Sequence, residues 1–147
     1  MKIIRANVSQ VDALAPMFDD YRVFYGQQSD IEGARRFLRT RLENNESVIF
    51  IAVDDDGYGL GFVQLYPSFT SISMRKLWIL NDLFVIQEAR GTGVATALLE
   101  RARVYAIETH AKGLTLQTAI SNEAAQKLYE KLGWRRDEEF YTYYVDA

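Results

Sequence analysis

The stretch from Leu80 to Leu99 gathers residues whose types and order suit one kind of chemistry. Apolar Leu83-Phe84-Val85 leads into Arg90-Gly91-Thr92-Gly93-Val94-Ala95-Thr96, and Ala97-Leu98-Leu99 continues as a helix. Backbone N–H groups at a helix start lack intrahelical partners, and the helix dipole is positive there. Glycines and other small residues let a diphosphate come close to that backbone. The segment is therefore a candidate anion cradle on a strand–turn–helix. A second group, Asp20, Tyr21, Phe24 and Tyr25, sets a carboxylate beside aromatic rings. Such a face could hold a cationic amine by charge and cation–π attraction. The same aromatics could equally be core, with Asp20 solvated.

Composition narrows the chemistry. The chain has no cysteine and one histidine, His110. That excludes disulfides, thiolate metal sites, a cysteine nucleophile and a multi-histidine centre, so no metal is expected. His110 falls near the expected end of a helix, where an imidazolium suits the dipole. Asp54-Asp55-Asp56-Gly57 reads as a solvated turn, because the spaced ligands of a calcium loop are missing. A net charge of −3 disfavours nucleic acid and is compatible with a cationic substrate. No apolar run could span a bilayer and no signal-peptide core is present, so a cytoplasmic protein without a membrane partner is expected. At 147 residues, 48% of them hydrophobic, a single domain over residues 1–147 is expected.

The elements that must position these groups follow from periodicity. Lys2 to Val8 reads as a strand, and Ser9 with Asp12 resembles a capping box. Val11, Leu14, Phe18, Tyr21 and Tyr25 share a helix face that stops at Gly26; Pro16 inside it predicts a bend or a later start. Asp30 caps a second helix. Val48 to Val53 and Tyr58 to Tyr66 flank the aspartate turn as a hairpin. Lys76 to Val85 is a strand, Gly93 to Ala106 a helix and Leu114 to Ala119 a strand. Asn122 to Leu132 is a helix closed by Gly133. Trp134 to Arg136 and Phe140 to Val145 read as two final strands. The order is β-α-α-β-β-β-α-β-α-β-β, an α+β chain with one parallel crossover around the glycine turn. The run Phe140-Tyr141-Thr142-Tyr143-Tyr144-Val145 is aromatic on both faces, which points to a homodimer or a tyrosine-lined cleft.

Several readings of the glycine turn compete. A Walker A loop requires a lysine that is missing here. A dinucleotide fingerprint counted from Gly91 meets Thr96 at its sixth position, on the wrong strand of the unit. A bare structural turn is a further possibility. Arg90-x-x-Gly93-x-Ala95, however, resembles the Q/R-x-x-G-x-G/A signature of the GNAT superfamily of N-acetyltransferases. Asn122-x-x-Ala125-x-x-Leu128-Tyr129-Glu130-Lys131-Leu132-Gly133-Trp134 resembles that family's asparagine-to-tyrosine helix. The resemblance spans nearly the whole chain. Within the superfamily, Leu80-Asn81-Asp82-Leu83-Phe84-Val85 is similar to the diamine and histone/polyamine acetyltransferase-like branch. The implied fold is GNAT-like, a twisted mixed sheet of about six to seven strands flanked by about four helices.

The resemblance also implies roles. Arg90, Gly91, Thr92, Gly93, Val94, Ala95 and Thr96 would cradle the pyrophosphate of acetyl-CoA, the co-substrate. Leu83, Phe84 and Val85 would hydrogen-bond the pantetheine arm, with an N–H near Val85 polarising the thioester carbonyl. Asn122 would touch the cofactor, although it is also a good N-cap. Tyr129 stands where the family places a general acid for the departing thiolate. Asp82 is the first candidate for the base that deprotonates the amine, directly or through water; its alternatives are ammonium binding and plain solvation. Glu32 is the second. Asp20, Tyr21, Tyr25 and Trp78 are the candidate acceptor-binding residues, and Gln64 could also reach that pocket. The expected activity is direct acetyl transfer to a primary amine in a ternary complex. The acceptor would be a small cationic amine, polyamine or amino-acid-like, or a protein amino group. An acyl-CoA-binding regulatory domain without turnover is the alternative.

Overall fold

The computed structural model describes residues 1–147. Two compact units divide the chain, Met1–Leu116 and Gln117–Ala147.

The first unit is built on five strands in the spatial order β1-β2-β3-β4-β5: Lys2–Arg5, Val48–Val53, Gly59–Thr70, Arg75–Val85 and Leu114–Thr115. Neighbours are antiparallel except β4 and β5, which are parallel. Helices α1 (Val11–Phe24) and α2 (Ile31–Glu43) cover one face. Leu14, Phe18, Ala34 and Leu38 pack there on Ile49, Ile51 and Phe62. Helix α3 (Val94–Glu108) covers the other face, where Tyr105 meets Phe50 and Trp78. Phe62 is fully buried, so truncating it to alanine would cost about 3–5 kcal/mol.

Local signals set the helix ends. Asp30 caps α2 by accepting from the Gly33 N–H, as expected. All four helices stop in the same hydrogen-bonded motif, each with a left-handed residue just past the cap: Gly26, Asn45, His110 and Gly133. The Ala111 N–H, for example, reaches back to the Ala106 carbonyl while His110 bonds Ile107. The first capping box lies one step earlier than Ser9 and Asp12 predict. Asn7 accepts from Ser9 and Gln10 accepts from the Asn7 N–H, so a 3-10 turn at Val8–Gln10 precedes α1. Pro16 sits inside α1, and the carbonyl that loses its donor belongs to exposed Asp12. The hairpin turn forms as read, with Asp54 accepting from the Asp56 and Tyr58 N–H groups.

One irregularity governs the rest of the sheet. Gln64 pairs with Asp82, but Leu65 pairs with Leu80, so Asn81 is an extra residue in β4. Such a bulge bends and twists its strand. Pairing between β4 and β5 stops beside it, at Ile79 with Thr115. The strand expected over Leu114 to Ala119 is therefore only two residues long.

In the second unit, α4 (Glu123–Lys131) is capped by Asn122 and closed at Gly133. Tyr129 and Trp134 rings lie 6.0 Å apart. The strands expected at Trp134 to Arg136 and Phe140 to Val145 do not form. Asp137 accepts from the Glu139 and Phe140 N–H groups, which turns the chain between them. Strand propensity without a pairing partner does not make a strand. Tyr141, Tyr143 and Tyr144 are about nine-tenths exposed. The sheet thus has five strands where six to seven were expected, within the same α+β class.

Candidate active site

The glycine turn has the geometry of an anion cradle. Gly91 and Gly93 both have positive φ, and Gly93 (φ 90°) serves as the N-cap of α3. The first helical bond runs from the Ala97 N–H to the Gly93 carbonyl. The N–H groups of Val94, Ala95 and Thr96 therefore have no acceptor within the helix. A Cβ added at Gly91 or Gly93 would meet nothing within 4 Å, so the surface in front of the turn is open. Thr92 holds the turn from inside, its hydroxyl donating to the Ala89 carbonyl at 2.5 Å. Arg90 shapes it as well: Nε donates to the Val85 carbonyl at 3.1 Å, with the guanidinium 6.0 Å from the Phe84 ring.

Beside the turn, β4 has a free edge. Past Ile79 it has no partner on the β5 side. The Ile86 N–H bonds the Leu60 carbonyl across on β3. By alternation Phe84 also points its backbone to β3, whereas Leu83 and Val85 point theirs to the free edge. Arg90 already occupies the Val85 carbonyl. What stays available is the Val85 N–H and both backbone groups of Leu83. The Phe84 side chain is committed to packing against Tyr21 and Phe62.

Across the sheet from α3 lies a buried polar cluster. Asp82 is only 4% exposed. Gln64 Nε2 donates to its Oδ2 at 2.5 Å, and Asn81 Nδ2 to its Oδ1 at 3.1 Å. The Tyr21 hydroxyl also bonds the carboxylate and lies 3.4 Å from the Asn81 carbonyl. Burial pushes the Asp82 carboxyl above its usual range, and the bonds from Gln64, Tyr21 and Asn81 oppose that rise. Burial and the facing Asp82 charge push the phenols of Tyr21 and Tyr66 up, so both stay protonated at neutral pH. The site therefore offers one buried carboxylate ringed by neutral donors, at the root of the free β4 edge.

The other expected residues divide. Tyr21 joins the cluster, and its ring contacts Tyr25 edge-on at 5.0 Å. Tyr25 is 56% exposed and Asp20 is exposed at the end of the same helix. Glu32 is exposed and pairs with Arg35 at 3.5 Å on α2. Trp78 lies on the opposite face of the sheet from Asp82. It is buried against Tyr105 and donates from Nε1 to the Thr109 hydroxyl at 2.9 Å, on the α3 face. Simple alternation from Asp82 would put Trp78 on the Asp82 face; the extra residue Asn81 inverts the count. Asn122 uses its side chain as the N-cap of α4, accepting from Ala125 at 3.3 Å.

Comparison with known proteins bears on these features together. The model of the acetyltransferase (GNAT) family matches residues 14–134. The chain belongs to that family. It is 50% identical over 147 residues to the uncharacterized N-acetyltransferase YhfO of Bacillus subtilis (strain 168), covering all of this chain and 98% of that one. It is 35% identical over 119 residues to a probable acetyltransferase of Haemophilus influenzae, covering 81% and 82% respectively. A crystal structure of a probable acetyltransferase superposes with a TM-score of 0.96 at 47% identity, over 100% of this chain and 98% of that one. The protein is thus an N-acetyltransferase with acetyl-CoA as its acyl donor. The open cradle at Gly91 and Gly93 and the free β4 edge fit that donor's diphosphate and amide-bearing arm.

Periodicity alone does not show the Gln64–Asp82 pair, the bulge at Asn81 or Tyr66 in this acetyltransferase. Each depends on the cross-strand register. Periodicity is equally silent on Asp19. It is buried and accepts from Ser29 Oγ and the Asp30 N–H, both at 2.6 Å, which ties the end of α1 to the start of α2. Those bonds hold its carboxyl below the usual range. No helix is long and apolar enough to cross a membrane.

Proposed function

We propose that this acetyltransferase transfers acetyl to a primary amine of a small cationic acceptor, with Asp82 as the base. The observation that carries the reading is a carboxylate 4% exposed, held by amide donors at the root of the free β4 edge. An amine of pKa about 10.4 is protonated at neutral pH and must lose a proton before it attacks. A buried carboxylate with a raised pKa is a stronger base than a solvated one, and it remains ionised above that pKa. Acetyl-CoA supplies the activated carbonyl and a thiolate leaving group. Asp82 takes the proton from the amine nitrogen, and the Val85 N–H draws charge onto the carbonyl oxygen. By its resemblance to the family's asparagine-to-tyrosine helix, Tyr129 is the group assigned to protonate the departing thiolate. The backbone N–H groups from Gly91 to Thr96 hold the diphosphate. With no cysteine to carry an acetyl group, transfer is direct.

Tyr21, Phe24, Tyr25 and Asp20 form the acceptor side of this reading. Their rings and negative charge favour a cation, polyamine-like or amino-acid-like, over an anion. A regulatory domain that only binds acyl-CoA has no need of a buried carboxylate at this position. The family match runs through both units, which supports one functional domain. The exposed Phe140–Val145 aromatics support a homodimer, a partner copy covering them.

The experiment is a competition among polyamines, free amino acids, aminoglycosides and basic peptides for acetyl-CoA, with products identified by mass spectrometry. Acetylation of a small polycationic amine is expected. Exclusive modification of peptides would overturn the small-acceptor reading, and acetylation of no amine would overturn the proposal.

A further inference from the structure

Gln64 is fully buried at the centre of β3 and has an unusual hydrogen-bond balance. Its Nε2 donates to Asp82 Oδ2 at 2.5 Å, whereas its Oε1 is buried without a partner. A buried carboxamide normally satisfies both ends, and an orphaned acceptor destabilises the fold. Fold stability alone gives no reason for glutamine here. What this side chain does is hold one carboxylate oxygen. The register explains how: the bulge at Asn81 places Asp82 directly opposite Gln64 on the face covered by α1 and α2.

We infer that Gln64 is a positioning residue, whose carboxamide fixes the Asp82 carboxylate in the orientation that meets the acceptor amine and favours its charged form. The inference rests on the reading of Asp82 as the base. All the groups around the carboxylate are accounted for. Tyr21 faces it from α1, with Tyr66 and Gln64 on β3 and Asn81 on β4; Tyr25 acts on Tyr21, and Arg41 of α2 on Tyr66. Of the two amide donors, Gln64 makes the shorter bond and is fully buried, whereas Asn81 is exposed. A hydrogen bond to the charged form lowers a carboxyl pKa, and more so away from water. Losing Gln64 should therefore leave Asp82 harder to ionise.

The test is a carboxyl carbon-13 NMR titration of the full chain, with the Asp82 resonance assigned by its absence from Asp82→Asn. Gln64→Met keeps the length and removes the donor. We expect the Asp82 midpoint to rise by about one pH unit, a tenfold change in its protonation ratio. Gln64→Glu is near-isosteric and serves if the methionine variant does not fold. Its introduced carboxylate competes with Asp82 for one proton, so the single Asp82 step should split into two. An unmoved midpoint in a folded variant overturns the inference, even if its melting temperature falls, because a merely structural role predicts that pattern. Turnover of Asp82→Asn tests the underlying reading separately: the midpoint can move whether or not Asp82 is the base.

Discussion

Substitution at Gly93 separates backbone strain from charge at the proposed diphosphate site. Gly93 adopts φ 90° and ψ 6°, and a Cβ there would meet nothing within 4 Å. Alanine therefore brings no clash, only the cost of a left-handed conformation in an L-residue, about 1–2 kcal/mol. For a chain of this size that lowers the melting temperature by about 2–8 °C. Glutamate carries the same backbone cost, so Gly93→Glu and Gly93→Ala should melt together. They should differ in acetyl-CoA affinity. A carboxylate about 4 Å from one phosphate charge, at an effective dielectric near 20, is repelled by about 4 kcal/mol. That is about a thousandfold in Kd. Calorimetry with acetyl-CoA on both variants, alongside thermal unfolding, measures each quantity. A glutamate variant that binds within threefold of the alanine variant would refute the cradle assignment. A large difference in melting temperature between the two would refute the open-space argument.

Four further outcomes are expected. Asp82→Asn should lower turnover by about 10²–10⁴ with acetyl-CoA affinity unchanged. In the wild type kcat/KM should fall as pH drops through the raised Asp82 pKa, since only the ionised form takes the proton; a flat acid limb would count against the base role. Tyr129→Phe should reduce kcat far more than acetyl-CoA binding, and unchanged turnover with chemistry rate-limiting would remove it as the acid. Asp19→Ala should lower the melting temperature by several degrees at pH 7, because Ser29 and Asp30 lose their shared acceptor. Asp19 has a depressed folded-state pKa, so its contribution is present above the unfolded value of about 3.9 and lost as pH falls through the folded one. The gap between variant and wild type should therefore close in acid.

Local chemistry made much of this molecule legible in its sequence. The Asp54–Gly57 turn, the Asp30 cap, the Gly26 and Gly133 stops and the glycine turn before α3 are short-range signals, and each formed as read. What was hidden depends on residues distant in the chain. The bulge at Asn81 leaves no mark in the pattern of β4, yet it decides that Asp82 faces Gln64 and that Trp78 faces Tyr105. It also coincides with the end of β5 pairing, which leaves the β4 edge free. The aromatic run from Phe140 has strand propensity on both faces, but propensity needs a neighbouring strand to become a ladder. The first capping box forms at Asn7 and Gln10 because those residues satisfy the same requirement as Ser9 and Asp12.

The most direct test of the central claim is amine-dependent release of free thiol from acetyl-CoA, followed for the wild type and for Asp82→Asn over the same amine panel. The account predicts release that requires a primary amine and falls at least a hundredfold in the variant. Equal release by the two proteins, or release that ignores the amine, would contradict it.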